Sequence, residues 1–235
     1  MTKKAVLFDL DNTLYEYEPV HKKALKDVYE VLSKEIKITY SRFLKLYKLS
    51  NSEIKRELAG TASAHNRILY FQRLIEKTHN TIDTDIILKL YNTYWDNFLK
   101  NIKIKEDVIP TLKKLRKLRI KTAIVSDLTT NIQLRKLSKL KITLYIDVLV
   151  TSEEAGSEKP HSIMFLSALN KLNILPKDAI MVGDNTFTDI EGANSVGLDT
   201  VLITNKKSTK YHYSQDYEKP NYTIRKISEI LKLIE

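Results

Sequence analysis

Short apolar runs rich in β-branched residues recur along the chain: AVLF (5–8), TAIV (122–125), YIDVLV (145–150), AIMV (179–182) and TVLI (200–203). Each reads as a strand buried on both faces, as in a parallel sheet. Between the later runs the period lengthens to a helical one, over 163–173 and 189–196, with room for one crossover each. This alternation predicts a doubly wound α/β sheet.

The first crossover breaks that rule. About 110 residues separate the first run from the second, where a βαβ connection needs only a few tens. An inserted domain is expected there, and its pattern is helical. Ala24, Val28 and Val31 share one face, and NRILYFQRLIEK places Leu69 and Leu74 on another. Breaks fall at ELAGTASA (57–64) and HNTID (79–83). The expected organisation is an α/β core of residues 1–14 and 106–235, with a helical cap at 15–105.

Charge changes this picture little. The 39 Lys and Arg against 29 Asp and Glu give a net charge of +10, which invites a nucleic-acid reading. In TLKKLRKLRIK, however, Leu112, Leu115 and Leu118 mark one apolar stripe and the basic residues fill the gaps between them. That is a solvated helix face rather than a surface that tracks phosphates, and nucleic acid is not the expected partner. The absence of cysteine excludes disulfides, thiolate metal sites and a cysteine nucleophile. The first apolar run stops at Asp9, too short for a signal-peptide core or a membrane span, so a cytoplasmic location is expected and no membrane partner.

The polar residues that interrupt this scaffold fall where ligands bind in open α/β sheets, beyond the carboxyl ends of strands. Asp9 and Asp11 follow the first run, Ser126 and Asp127 the second, Lys159 the third, and Asp184 the fourth. Singly, each could be a helix cap or turn residue. In order, Asp9-x-Asp11-x-Thr13, Ser126 in AIVSD, Lys159 in GSEKPHSIMF, and Gly183, Asp184 and Asp189 in VGDNTFTDI resemble the four motifs of the haloacid dehalogenase-like hydrolases, the phosphatase branch above all. The resemblance spans the whole core and implies a Rossmann-like fold. One departure is DLTTN after Ser126, where many relatives carry Asn-Gly.

The resemblance implies a Mg²⁺-dependent phosphatase acting on a small monoester of the nucleoside monophosphate or sugar phosphate class. Asp9 would attack phosphorus to form an aspartyl phosphate. Asp11 would protonate the departing oxygen and later activate water. Ser126 and Lys159 would hold the phosphoryl oxygens, and Asp9, Asp184 and the Asp11 carbonyl would bind Mg²⁺. Two carboxylates and a dianionic phosphate carry more charge than one lysine offsets, so a dication is needed. Thr13 and Asp189 would support these groups from behind.

Asp127, His65 and Arg67 are candidate substrate contacts, the last two following the GTASA break in the cap. Tyr15 and Tyr17 are expected as hinge packing. A phosphomutase or dehalogenase of the same fold, or a non-catalytic phosphoryl- or nucleic-acid-binding protein, stands as the alternative. Asp11 favours phosphate chemistry, since carbon–halogen cleavage needs no acid there.

Overall fold

In a computed structural model, which describes residues 3–79, 81–204 and 216–234, the chain divides into two compact units, Met1–Glu16 with Lys103–Glu235, and Tyr17–Ile102. The first is built on β1 (Ala5–Phe8), β2 (Lys121–Ser126), β3 (Val148–Thr151), β4 (Ala179–Gly183), β5 (Asp199–Ile203) and β6 (Tyr222–Ile224), all parallel, in the order β3-β2-β1-β4-β5-β6. The order reverses direction at β1 and β4. A crevice opens at such a switch point, beyond the strand ends.

The central strands are apolar because both faces are covered. All four residues of β1 and all five of β4 are buried. Leu7, Val125, Val150 and Met181 pack with Met164, Phe165 and Leu169. The start of β3 departs from the expected 145–150, since Thr143–Tyr145 forms a tight helical turn and pairing begins only at Val148. The edge strand β6 was not anticipated; Tyr222 and Thr223 are exposed and only Ile224 is buried, so no apolar run marks it.

In Tyr17–Ile102 the helices are α1 (Tyr17–Glu35), α2 (Tyr40–Glu57), α3 (Arg67–His79) and α4 (Thr84–Asn101). Thr39 and Asp83 cap α2 and α4 by accepting the backbone N–H of Arg42 and Ile86. Leu32, rather than Val31, completes the buried stripe of α1, and Leu69 is half-buried beside a stripe of Tyr70, Phe71, Leu74 and Ile75. Phe43, Tyr47, Phe71, Tyr94, Trp95 and Phe98 form its aromatic interior. The break at 57–64 is real: α2 ends at Glu57 and a short turn, Ala62–His65, precedes α3. Asn80, within the expected break at 79–83, lies outside the described residues.

The unit boundaries fall inside the expected 15–105. Tyr15 bridges antiparallel to Ile104, and Lys105 donates to the carbonyls of Asn12 and Thr13 at 2.8 and 2.7 Å, so these flanks belong with the sheet. Returning to the sheet, the chain forms α5 (Val108–Lys117), α6 (Thr130–Leu140), α7 (Ser152–Ala155), α8 (Ser162–Leu172) and α9 (Gly192–Asn194). On α5, Leu112 and Leu115 are buried as the stripe predicts, while Leu118 lies past its end and is exposed. The expected helix at 189–196 is instead a wide π-helical turn, Thr186–Glu191, running into α9.

Candidate active site

The Asp9 backbone N–H extends the β1 ladder by donating to Val182 O at 2.9 Å, which sets the Asp9 side chain at the switch point. Asn12 then takes φ = 64°, a left-handed turn that asparagine tolerates. The turn brings Thr13 back, and its hydroxyl donates to Asp9 Oδ2 at 2.9 Å. Lys159 Nζ reaches Asp9 Oδ1 at 2.6 Å and Asp189 Oδ1 at 2.7 Å, with all three side chains buried.

At the end of β4, Gly183 leaves space that Asp189 fills. A Cβ built there would lie 2.2 Å from Asp189 Oδ2, closer than any real contact. Asp189 turns back from the wide turn, accepts the Asn185 N–H at 3.1 Å and pairs with Lys159. Asn185 opens that turn by accepting the N–H groups of Phe187 and Thr188. Asp184 is partly exposed, and its Oδ1 is 3.5 Å from the Thr13 hydroxyl.

Carboxylate oxygens of Asp9, Asp184 and Asp189 lie within 4.8 Å of one another. Burial first, then the charges of Asp189 and Asp11, push Asp9 up to about 7 despite Lys159. Burial and then Asp9 push Asp184 up to about 6, and burial likewise raises Asp189. Burial also opposes the Lys159 ammonium, but Asp189, Asp9 and Asp127 outweigh it and hold the group well above the usual lysine range. One ammonium does not offset these anions. An all-oxygen set with surplus negative charge fits a hard dication.

The remaining motif residues are engaged as well. Ser126 is buried, and its Oγ accepts from Gln133 Nε2 at 2.8 Å. The same nitrogen donates to the carbonyl of Asp127 at 2.6 Å, which can only accept, so the amide orientation is fixed. The Asp127 side chain, expected as a substrate contact, accepts the Lys159 backbone N–H at 3.0 Å and ties the lysine loop to the end of β2. In the place of the family's Asn-Gly, Leu128 takes φ = 110° and donates its N–H to Ser152 Oγ at 2.9 Å.

Three contributors were not foreseen. Lys136 Nζ contacts both oxygens of Asp11, at 2.8 and 2.7 Å. Tyr15, expected as hinge packing, donates its hydroxyl to Asp11 Oδ1 at 2.6 Å. Gln133 is the third. The available signal was on α6, where Gln133 and Lys136 share the stripe spacing of Leu137 and Leu140.

In Tyr17–Ile102, His65 is half-buried and its carbonyl accepts from Arg67 Nη1. Arg67 is buried, donates Nη2 to the Tyr17 hydroxyl, and lies 5.4–5.8 Å from the ring centres of Tyr70, Tyr94 and Trp95. No carboxylate pairs with it among the described residues. Beside it His21 is held neutral, pushed down to about 3 by burial and by the Arg67 charge.

The family described as haloacid dehalogenase-like hydrolase matches residues 6–203. A ribulose-1,5-bisphosphate 5-phosphatase of Halopiger xanaduensis is 41% identical over 201 residues, 85% of this chain and 84% of that protein. A glyceraldehyde 3-phosphate phosphatase of Methanopyrus kandleri is 30% identical over 98% of this chain and 97% of its own length. Among solved structures, a HAD phosphatase from Thermococcus onnurineus superposes with a TM-score of 0.78 at 28% identity, covering 98% of this chain and 97% of that one. The four strand-end motifs, the 3-2-1-4-5-6 parallel sheet and these matches agree: the chain belongs to the haloacid dehalogenase-like hydrolases, in their phosphatase branch.

Proposed function

We propose that this chain hydrolyses a small sugar phosphate monoester by transferring the phosphoryl group to Asp9. The observation that carries the reading is the setting of Asp9, a buried carboxylate at the switch point with Lys159, Thr13 and Asp184 around it and Asp11 two residues on. Thr13 and Lys159 each occupy one lone pair on a different oxygen of Asp9, which orients the carboxylate and leaves a lone pair on each oxygen for phosphorus and a metal ion. Lys159 neutralises a phosphoryl oxygen. Ser126, obliged to accept from Gln133, keeps its own proton to donate to another. Asp11 gives a proton to the departing alkoxide and takes one from the water that cleaves the aspartyl phosphate.

Mg²⁺, held by Asp9, Asp184 and the Asp11 carbonyl, would supply charge neutralisation at the phosphoryl group. The names of the relatives support a phosphorylated sugar as substrate. Recognition of its organic part falls to the helical unit, as its cap role, with His65 and Arg67 as the candidate readers. Phosphate release from a panel of sugar phosphates, with and without Mg²⁺, tests the reading. Asp9→Asn should lower turnover by several orders of magnitude in a folded protein. Unchanged turnover in that variant would eliminate the covalent route.

A further inference from the structure

The buried face of α6 holds two groups that a packing face does not need. Gln133 and Lys136 are as deeply buried as Ile132, Leu137 and Leu140, and the Lys136 side chain is 0% exposed. Lys136 Nζ bridges Asp11 Oδ1 and Oδ2, and stands 5.9 Å from the centre of the Tyr15 ring, whose hydroxyl also donates to Oδ1. The Asp11 side chain itself is 30% exposed. One edge of the carboxylate is held by protein and the other is open.

Stability gives a poor account of this arrangement. Removing an ammonium from water is costly, and a buried ion pair is often replaced by apolar side chains without loss. Orientation gives a better one. A general acid must lie about 2.6–3.2 Å from the oxygen it protonates, and a displacement of roughly 1 Å can cost a hundredfold in rate. An aspartate on a turn with two free torsions does not hold that position by itself.

The geometry points to Lys136 as a positioning residue for the reaction: with Tyr15 it fixes the plane of the Asp11 carboxylate and makes Oδ2 the atom that meets the leaving oxygen. The two oxygens are not equivalent. Oδ1 accepts from both Tyr15 and Lys136, which fills its two lone-pair positions, whereas Oδ2, among the described residues, accepts from Lys136 alone and keeps one open. Rotating the carboxylate would give up the Tyr15 bond or the bridging ammonium. The inference rests on the reading of Asp11 as the group that serves the leaving oxygen, and goes beyond it by naming what holds that group and which atom acts.

The test compares Lys136→Met, Tyr15→Phe, Asp11→Asn and the Asp11→Asn/Lys136→Met double variant on ribose 5-phosphate and p-nitrophenyl phosphate, in saturating Mg²⁺. The first substrate leaves as an alkoxide that needs a proton; the second leaves as a stable phenolate. Lys136→Met should lower kcat on ribose 5-phosphate by about 30- to 100-fold, keep KM within about threefold, and lower kcat on the aryl ester by less than about fivefold. In the Asp11→Asn background the same change should have almost no further effect. Tyr15→Phe removes one hydroxyl, leaves Lys136 in place, and should show the same selectivity more weakly; it carries the test if Lys136→Met does not fold. Equal losses on both substrates in Lys136→Met or Tyr15→Phe, while Asp11→Asn remains selective, overturn the positioning role and leave the role of Asp11 intact. Additive losses in the double variant overturn it too. Equal losses on both substrates in Asp11→Asn itself remove the acid reading, and the present inference falls with it.

Discussion

Magnesium binding should be steeply pH-dependent, and the carboxylates set the size of the effect. Asp9 is pushed up to about 7 and Asp184 up to about 6, against an ordinary value of 3.8, because burial first, and then Asp189 and Asp11 for Asp9 and Asp9 for Asp184, disfavour their charged forms. At pH 8 both are ionised. At pH 5 the first lies about two units and the second about one unit below its pKa, so a bound dication must expel both protons. Each unit is a factor of ten, and apparent affinity should be about a thousandfold weaker at pH 5 than at pH 8.

The metal-free protein should show the opposite trend. A carboxyl whose folded pKa exceeds its unfolded value binds more protons when folded, so this contribution to stability is present at low pH and is lost as pH rises from about 4 to about 7. Magnesium at a hundred times its Kd should then restore about 2.7 kcal/mol at pH 8, and at the same concentration almost nothing at pH 5. Thermal unfolding and calorimetric titration at pH 5, 6, 7 and 8 measure both trends. An apparent Kd that changes less than tenfold between pH 5 and pH 8 refutes the reasoning.

Two further variants probe the supports of the site. Gly183→Ala places a methyl 2.2 Å from Asp189 Oδ2, so Asp189 should be driven off Lys159, with a stability loss of about 1–3 kcal/mol by chemical denaturation and a fall in turnover. Gln133→Met removes the donor that orients Ser126, and should weaken competitive inhibition by inorganic phosphate several-fold while the leaving-group dependence stays that of the parent. Unchanged inhibition in that variant would show that Ser126 does not depend on Gln133.

The central sheet was legible because parallel strands buried on both faces leave short apolar runs rich in β-branched residues. Asp9, Ser126 and Asp184 were legible because each closes or follows such a run, and Lys159 and Asp189 because they fall in the loops and turns just beyond. Lys136 was not. Its place on the apolar stripe of α6 marks it as buried but names no partner, and Asp11 is 125 positions away, so spacing along the chain gives no hint of the pair. The stretch 189–196 reads as ordinary helix because Ile190 and Ala193 keep helical spacing, whereas a wide turn over Thr186–Glu191 occupies its start. What alters it is tertiary: Asp189 must reach back over Gly183 to Lys159, and Asn185 captures the first N–H groups of the turn. The edge strand β6 carries too little apolar surface to be seen at all.

The sheet order also governs how the protein can be made. The strand β1 is the first of the six to be synthesised, yet it lies between β2 and β4, whose residues begin at Lys121 and Ala179. Until both have left the ribosome, one or both edges of β1 lack a neighbour, whereas α1–α4 can form their contacts within Tyr17–Ile102 much earlier. Chains that stop before Ala179 therefore present an apolar strand with an open edge, a template for aggregation. Asp9 is among the first groups of the site to be translated and among the last to be held in place, because its partner Lys159 follows 150 positions later.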